Sequence, residues 1–233
     1  MKKTAILQSN YIPWKGYFDL IASVDEFIIY DDMQYTKRDW RNRNIIKTPQ
    51  GTLWLSIPVV SKDSRQKINQ IKVSDKSWTK KHWETIRRNY TKSSHFEKYK
   101  NHFEKIYKDL SEYEFLSEIN TRLIKEINKI LGIPTQISDS RDYNLVEGKT
   151  ERLIQLCIDS NANEYVSGPS AKEYIDEKLF KDSNISLTWM DYEGYLEYRQ
   201  LNSPFIHGVS ILDLIFNEGD NAANFMKFGT NRK

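Results

Sequence analysis

Between Gln8 and Asn44 the chain concentrates side chains able to bind and polarise a small anionic ligand. The run Lys37-Arg38-Asp39-Trp40-Arg41-Asn42-Arg43-Asn44 carries four cations and two amides in eight residues. Forked arginine donors match the oxygens of phosphates and carboxylates, which is the chemistry this density suits. Upstream, Asp31-Asp32 forms a carboxylate pair. Crowded carboxylates raise one another's pKa, so the pair is a candidate base or cation ligand, although in a strand only one of two neighbours can aim into a given crevice. Gln8, Tyr11 and Trp14 supply hydrogen bonds and a stacking face, and Gly16 permits close backbone approach. Each motif also has a plain alternative: a solvated loop for 37–44, a helix cap for the aspartates, and a ligand-free turn shaped by Pro13 and Gly16.

Other chemistries find less support. His82, His95 and His102 lack a metal-ligand spacing, and no metal site is assigned. There is no Walker loop, dinucleotide glycine fingerprint or Gly-x-Ser-x-Gly elbow. The single cysteine, Cys157, lies in the apolar pattern Leu153-Ile154-x-Leu156-Cys157-Ile158 and is expected to pack in a core. The charges, 35 Lys and Arg against 32 Asp and Glu, leave a net +3, far from the one-signed field of a dedicated nucleic-acid binder. Met1-Lys2-Lys3 leads directly into a short apolar strand, so no signal peptide is read, and no apolar stretch is long enough to span a membrane. The expected compartment is the cytoplasm.

The elements that would position these residues follow from hydrophobic periodicity. Thr4–Leu7 is a short strand; Phe18, Leu20, Ile21 and Val24 recur at helical spacing; Glu26–Tyr30 is a second strand, reached by a right-handed crossover. Both strands should present their ends to one crevice, where ligands of open parallel sheets settle. Thr48-Pro49-Gln50-Gly51 before Leu53–Val59 predicts a hairpin or edge strand, and Ile68–Val73 a further strand. Residues 76–131 carry helical patterning for two or three helices, the last closed by Gly132 with Pro134 beyond it. Strand and helix then alternate: strands at 135–138, 164–167 and 185–190, helices at 150–159 and after Ser170, a final helix over 210–216, and a less ordered tail from Asn224. The expectation is one α/β domain over 1–233, a mostly parallel open sheet with a helical insertion in its middle third.

The chain resembles the WbqC-like family of bacterial O-antigen gene clusters along nearly its whole length. The opening carries the resemblance in Gln8, Tyr11, Pro13, Trp14, Gly16, Tyr17 and Phe18; Ser9 stands where the family usually has proline, and Leu7 where many members have His or Met. The second block is matched by Tyr30, Asp31, Asp32, Gln34, Lys37, Arg38, Asn42, Arg43 and Asn44, and later blocks by Thr150 to Leu153, Tyr165 to Gly168 and Ser210 to Asn217.

Membership implies surface-polysaccharide biosynthesis, with N-acyl or glycyl transfer to an amino sugar carried on a nucleotide. On that view Asp31 or Asp32 deprotonates the amine, and Lys37 joins them in the catalytic set while holding the diphosphate with Arg38 and Arg43. Gln8, Tyr11, Trp14, Gly16, Tyr17, Gln34, Asn42, Asn44, Ser167, Ser210 and Asp213 complete the substrate-binding set. The donor is left open among ATP, acyl-coenzyme A and charged tRNA, and the oligomeric state is open too. A non-catalytic module binding a sugar nucleotide or partner enzyme is the rival reading; RNA binding through 37–44 is disfavoured by the charge balance.

Overall fold

The computed structural model describes residues 1–63 and 65–229. Its centre is a five-stranded, all-parallel sheet built from β1 (Lys3–Leu7), β2 (Glu26–Ile29), β7 (Gln136–Asp139), β8 (Glu164–Ser167) and β9 (Ser186–Trp189). The spatial order is β7-β2-β1-β8-β9. Between β2 and β7 the chain forms the hairpin β3 (Arg43–Thr48) and β4 (Gly51–Ser56), the short pair β5 (Val59–Val60) and β6 (Lys72–Val73), and helices α2 (Trp78–Tyr90), α3 (Phe96–Asp109) and α4 (Leu116–Leu131). The sheet helices are α1 (Lys15–Ala22), α5 (Lys149–Asp159), α6 (Glu177–Asp182) and α7 (Ile211–Glu218).

Strand alternation divides the apolar residues between two cores. Ala5, Phe27, Ile29 and Val166 face a large core with α1, the middle helices and α7. Their neighbours Ile6, Ile28 and Tyr165 face a smaller core with Leu153, Leu156, Cys157 and Phe180 from α5 and α6. Strands covered on both faces read as continuous apolar runs, which is why Glu26–Ile29 is buried along its whole length. Cys157 packs in the smaller core, where burial pushes its thiol up to about 12.

Local signals set the boundaries. Gly132 adopts φ 66° and ends α4, with the Ile133 N–H donating to the Asn128 carbonyl at 2.9 Å. The strand expected over Ile68–Val73 is a correction: residues 68–70 form a 3-10 turn, which lets Ile68 N–H reach the Met33 carbonyl and Asn69 N–H the Asp31 carbonyl, and only Lys72–Val73 pairs as a strand. At the tail, a 3-10 segment continues through Phe225, whereas 230–233, part of the stretch expected to be less ordered, lie outside the described residues. Among the described residues no helix is long and apolar enough to cross a membrane.

Candidate functional site

From β1 the chain crosses to β2 on one side, while β8 pairs with β1 on the other. Connections leaving such neighbours diverge and open a crevice at their carboxyl ends. A cavity of about 470 Å³ lies there, lined by Leu7 and Gln8 from β1 and its end, Tyr30 after β2, Tyr165 of β8, and Lys149 and Arg152 of α5. Helix α5 begins at this cavity, adding the partial positive charge of its N-terminus. Its cap, Gly148, has φ 93°, a conformation L side chains rarely adopt. Arg152 is braced by hydrogen bonds from Nε to the Val146 carbonyl (2.6 Å) and from Nη1 to the Tyr30 hydroxyl (3.1 Å). Lys149 has no hydrogen-bond or ion-pair partner among the described residues, leaving its ammonium available to a ligand. Two cations and a helix N-terminus over a mostly apolar floor suit an anion with an attached ring.

The loop after β1 is held from behind. Asp31 accepts from Ser9 N–H (2.8 Å), Ser9 Oγ (2.7 Å) and Ser117 Oγ of α4. Asn120 Nδ2 donates to Ser9 Oγ (3.1 Å) and the Arg41 carbonyl (2.8 Å). Arg41 donates from Nη2 to Gln8 Oε1 (3.1 Å) and from Nη1 to Asn10 Oδ1. Ser9 thus has a local use, because a proline at this position would have no N–H to offer Asp31.

The residues expected to act on substrate separate into groups. Gln8 lines the cavity, and Trp14 and Asn44 line a second one described below. Asp31 is 2% exposed; burial raises its pKa, and the bonds from Ser117 and Ser9 only partly oppose that. Asp32 points elsewhere, pairing with Lys67 Nζ (3.0 Å) and Ser140 Oγ (2.9 Å); burial raises it, but these partners outweigh burial and hold it below the ordinary range. Neither aspartate lines the cavity. Tyr11 is fully buried, its hydroxyl bonded to His82 Nδ1 and Tyr107 Oη, each at 2.8 Å, and burial lowers His82 to about 4. Tyr17 is buried and donates to the Gln8 carbonyl at 3.0 Å. Gly16 makes room for the Trp14 ring, which any Cβ there would strike.

In the polar segment, Asn42 donates to the Ile57 carbonyl and accepts from Tyr35, and Asn44 donates to the Tyr11 and Ile12 carbonyls. Arg43 lies over the Trp54 ring at 4.1 Å. Gln34, Lys37 and Arg38 are exposed, and Gln34 bridges to Lys67. Ser167 is buried at the end of β8. Ser210 caps α7 through a bond from Leu212 N–H, and Asp213 is buried under the Tyr90 and Tyr198 hydroxyls, so both stabilise α7 rather than line the crevice. Sequence reasoning did not single out Lys149 and Arg152, which line the crevice; the available signal was Gly148-Lys149-Thr150 opening a helix in an α/β chain. Arg41, Ser117 and Asn120 had no comparable signal.

The profile of the WbqC-like protein family matches residues 8–225. The uncharacterized protein Rv1507c of Mycobacterium tuberculosis (strain ATCC 25618 / H37Rv) is 52% identical over 229 residues, covering 98% of this chain and 99% of that protein. No solved structure matches significantly.

Proposed function

The chain belongs to the WbqC-like protein family, and from that premise we propose that its crevice binds a nucleotide-linked amino sugar, to whose amine the protein transfers an acyl or aminoacyl group from an activated donor, releasing coenzyme A, tRNA or, from an ATP-activated acid, its phosphate leaving group, in surface-polysaccharide biosynthesis. The observation that carries the binding half is the convergence of Lys149, Arg152 and the start of α5 on a cavity at the β1/β8 divergence. The guanidinium and ammonium hold the diphosphate, and Gln8, fixed by Arg41, orients a hydroxyl. Of the proposed catalytic residues, Asp31 serves the loop as an anchor through Ser9. Asp32 is the remaining base candidate; its charge reaches Tyr30 in the cavity wall, and it must part from Lys67 to accept a proton. Lys37, Arg38 and Arg43 then take a peripheral part in holding the nucleotide or donor. The transfer half rests on the gene-cluster role that the resemblance to this family implies.

The test is incubation of the purified protein with a nucleotide-linked 4-amino-4,6-dideoxyhexose and, in turn, glycine with ATP, acyl-coenzyme A and glycyl-tRNA, reading the nucleotide-sugar mass. A mass gain that Asp32→Asn abolishes while binding persists is expected. One observation favours a second reading, a binding module without chemistry: both aspartates are engaged by intramolecular donors. Saturable binding with no mass gain from any donor would decide for that module.

A further inference from the structure

A second cavity, of about 420 Å³, lies on the other part of the β1–α1 loop. Asn10, Pro13, Trp14, Trp40, Asn44 and His207 line it. Its chemistry is unlike that of the first: no Asp, Glu, Lys or Arg contributes to the lining, and two indoles do. Both rings are fixed by their surroundings. Trp14 makes edge contacts with Tyr192 (5.4 Å) and Tyr195 (5.8 Å) and occupies the space left by Gly16. Trp40, 43% exposed, packs on Trp54 at 5.3 Å, and its carbonyl accepts from Tyr11 N–H at 3.0 Å.

Polar groups in the lining have capacity to spare. Asn10 uses Oδ1 to accept from Arg41, while its Nδ2 has no partner among the described residues. His207 stands against the Phe205 ring at 4.6 Å, and neither of its nitrogens has a hydrogen-bond partner among the described residues. Partial desolvation, reinforced by the nearby Lys15 charge and opposed by Glu197, lowers the His207 pKa and favours the neutral ring, which offers one donor and one acceptor. Fixed aromatic faces, an idle amide donor and an unpartnered imidazole, with no Asp, Glu, Lys or Arg in the lining, match a ligand that is apolar on one face and hydroxylated at its rim.

We propose that this second cavity binds a neutral pyranose ring, its C–H face stacked on Trp14 or Trp40 and its hydroxyls bonded by Asn10 and His207. The inference rests on the reading above for the identity of the sugar, whose nitrogen is uncharged once acylated, and it places the ring beside the phosphate cavity. Arg41 links the two linings, holding Gln8 of one and Asn10 of the other.

The probe is the methyl glycoside of a 4-acetamido-4,6-dideoxyhexose, which has no phosphate and no charge, read by saturation-transfer NMR on the full chain with uridine in parallel. Transfer to the sugar C–H protons is expected. Affinity should fall about tenfold in Trp40→Ala, which loses a stacking face, and severalfold in His207→Ala, and be unchanged in Arg152→Ala. No transfer to the glycoside, equal transfer in both cavity variants, or uridine binding that depends on Trp40 would overturn the proposal. Loss of glycoside binding in Arg152→Ala would also overturn it, by showing one site rather than two. Failure of the phosphate reading is distinguishable: Arg152→Ala would then bind the intact nucleotide sugar normally, while the glycoside result still turned on Trp40.

Discussion

The two faces of the central sheet are built for different ends. On the α1 face, residues such as Phe18, Phe103, Ile124 and Phe216 merge sheet, middle helices and α7 into one large core. On the α5 face a thinner layer leaves the 470 Å³ cavity against the same strands. The contrast reaches single residues: adjacent Asp31 and Asp32 turn to different partners, Asp31 to Ser9 and α4, Asp32 to Lys67 and Ser140, and their pKa values move in opposite directions. Continuous packing on one face gives the rigidity that lets the other carry an unfilled, cationic space.

The sharpest way to break this contrast is to strike both faces. Phe103→Ala, at a fully buried position, should cost about 3–5 kcal/mol in urea denaturation while the folded fraction binds nucleotide sugar normally. Arg152→Ala should do the reverse, weakening that ligand about ten- to a hundredfold, the value of a charged hydrogen bond to phosphate, with little change in denaturation midpoint. A large stability loss with intact binding in Arg152→Ala would collapse the distinction.

Ser117→Ala probes the link between the faces, since Ser117 on α4 secures the loop through Asp31. Asp31 has a raised folded pKa, so its contribution is fully present below the ordinary carboxylate range and is lost as pH rises through the folded value. Removing a bond that favours the charged form should deepen that loss, by about 1–3 kcal/mol above the titration and little below it. Urea melts across pH would show this; an offset equal at all pH values would mean Ser117 acts by packing alone.

The smallest expected effect is on Asp32. Its folded pKa is lowered, so its contribution is present above the ordinary carboxylate range and lost as pH falls through the folded value. Asp32→Asn should therefore differ from the parent by less than about 1 kcal/mol at pH 7, given the half-exposed Lys67 partner, and converge with it in acid.

Much of the scaffold was legible in the sequence. Apolar runs located the sheet strands, Gly132 marked the end of α4, and the alternation after residue 135 announced parallel pairing. The strand expected at 68–73 forms only at Lys72–Val73, because residues 68–70 close a tight turn instead. The site was harder for two physical reasons. Asn42 and Asn44 looked like ligand donors, but loop carbonyls need donors as much as ligands do, and these amides serve the backbone. Lys149 and Arg152 lie more than a hundred residues from Gln8, and only the folded sheet order makes them neighbours.

Ile12 has φ 36°, a left-handed conformation that a β-branched residue adopts only under constraint, and Asn44 clasps its carbonyl at 3.1 Å. That distortion, of order 1–3 kcal/mol, is met once, when the chain folds. A ligand arriving at the β1–α1 loop then finds it already shaped and loses little conformational freedom in settling there. The benefit should appear in the thermodynamic signature and speed of association: a small entropic penalty, and a single-step encounter without a slow rearrangement.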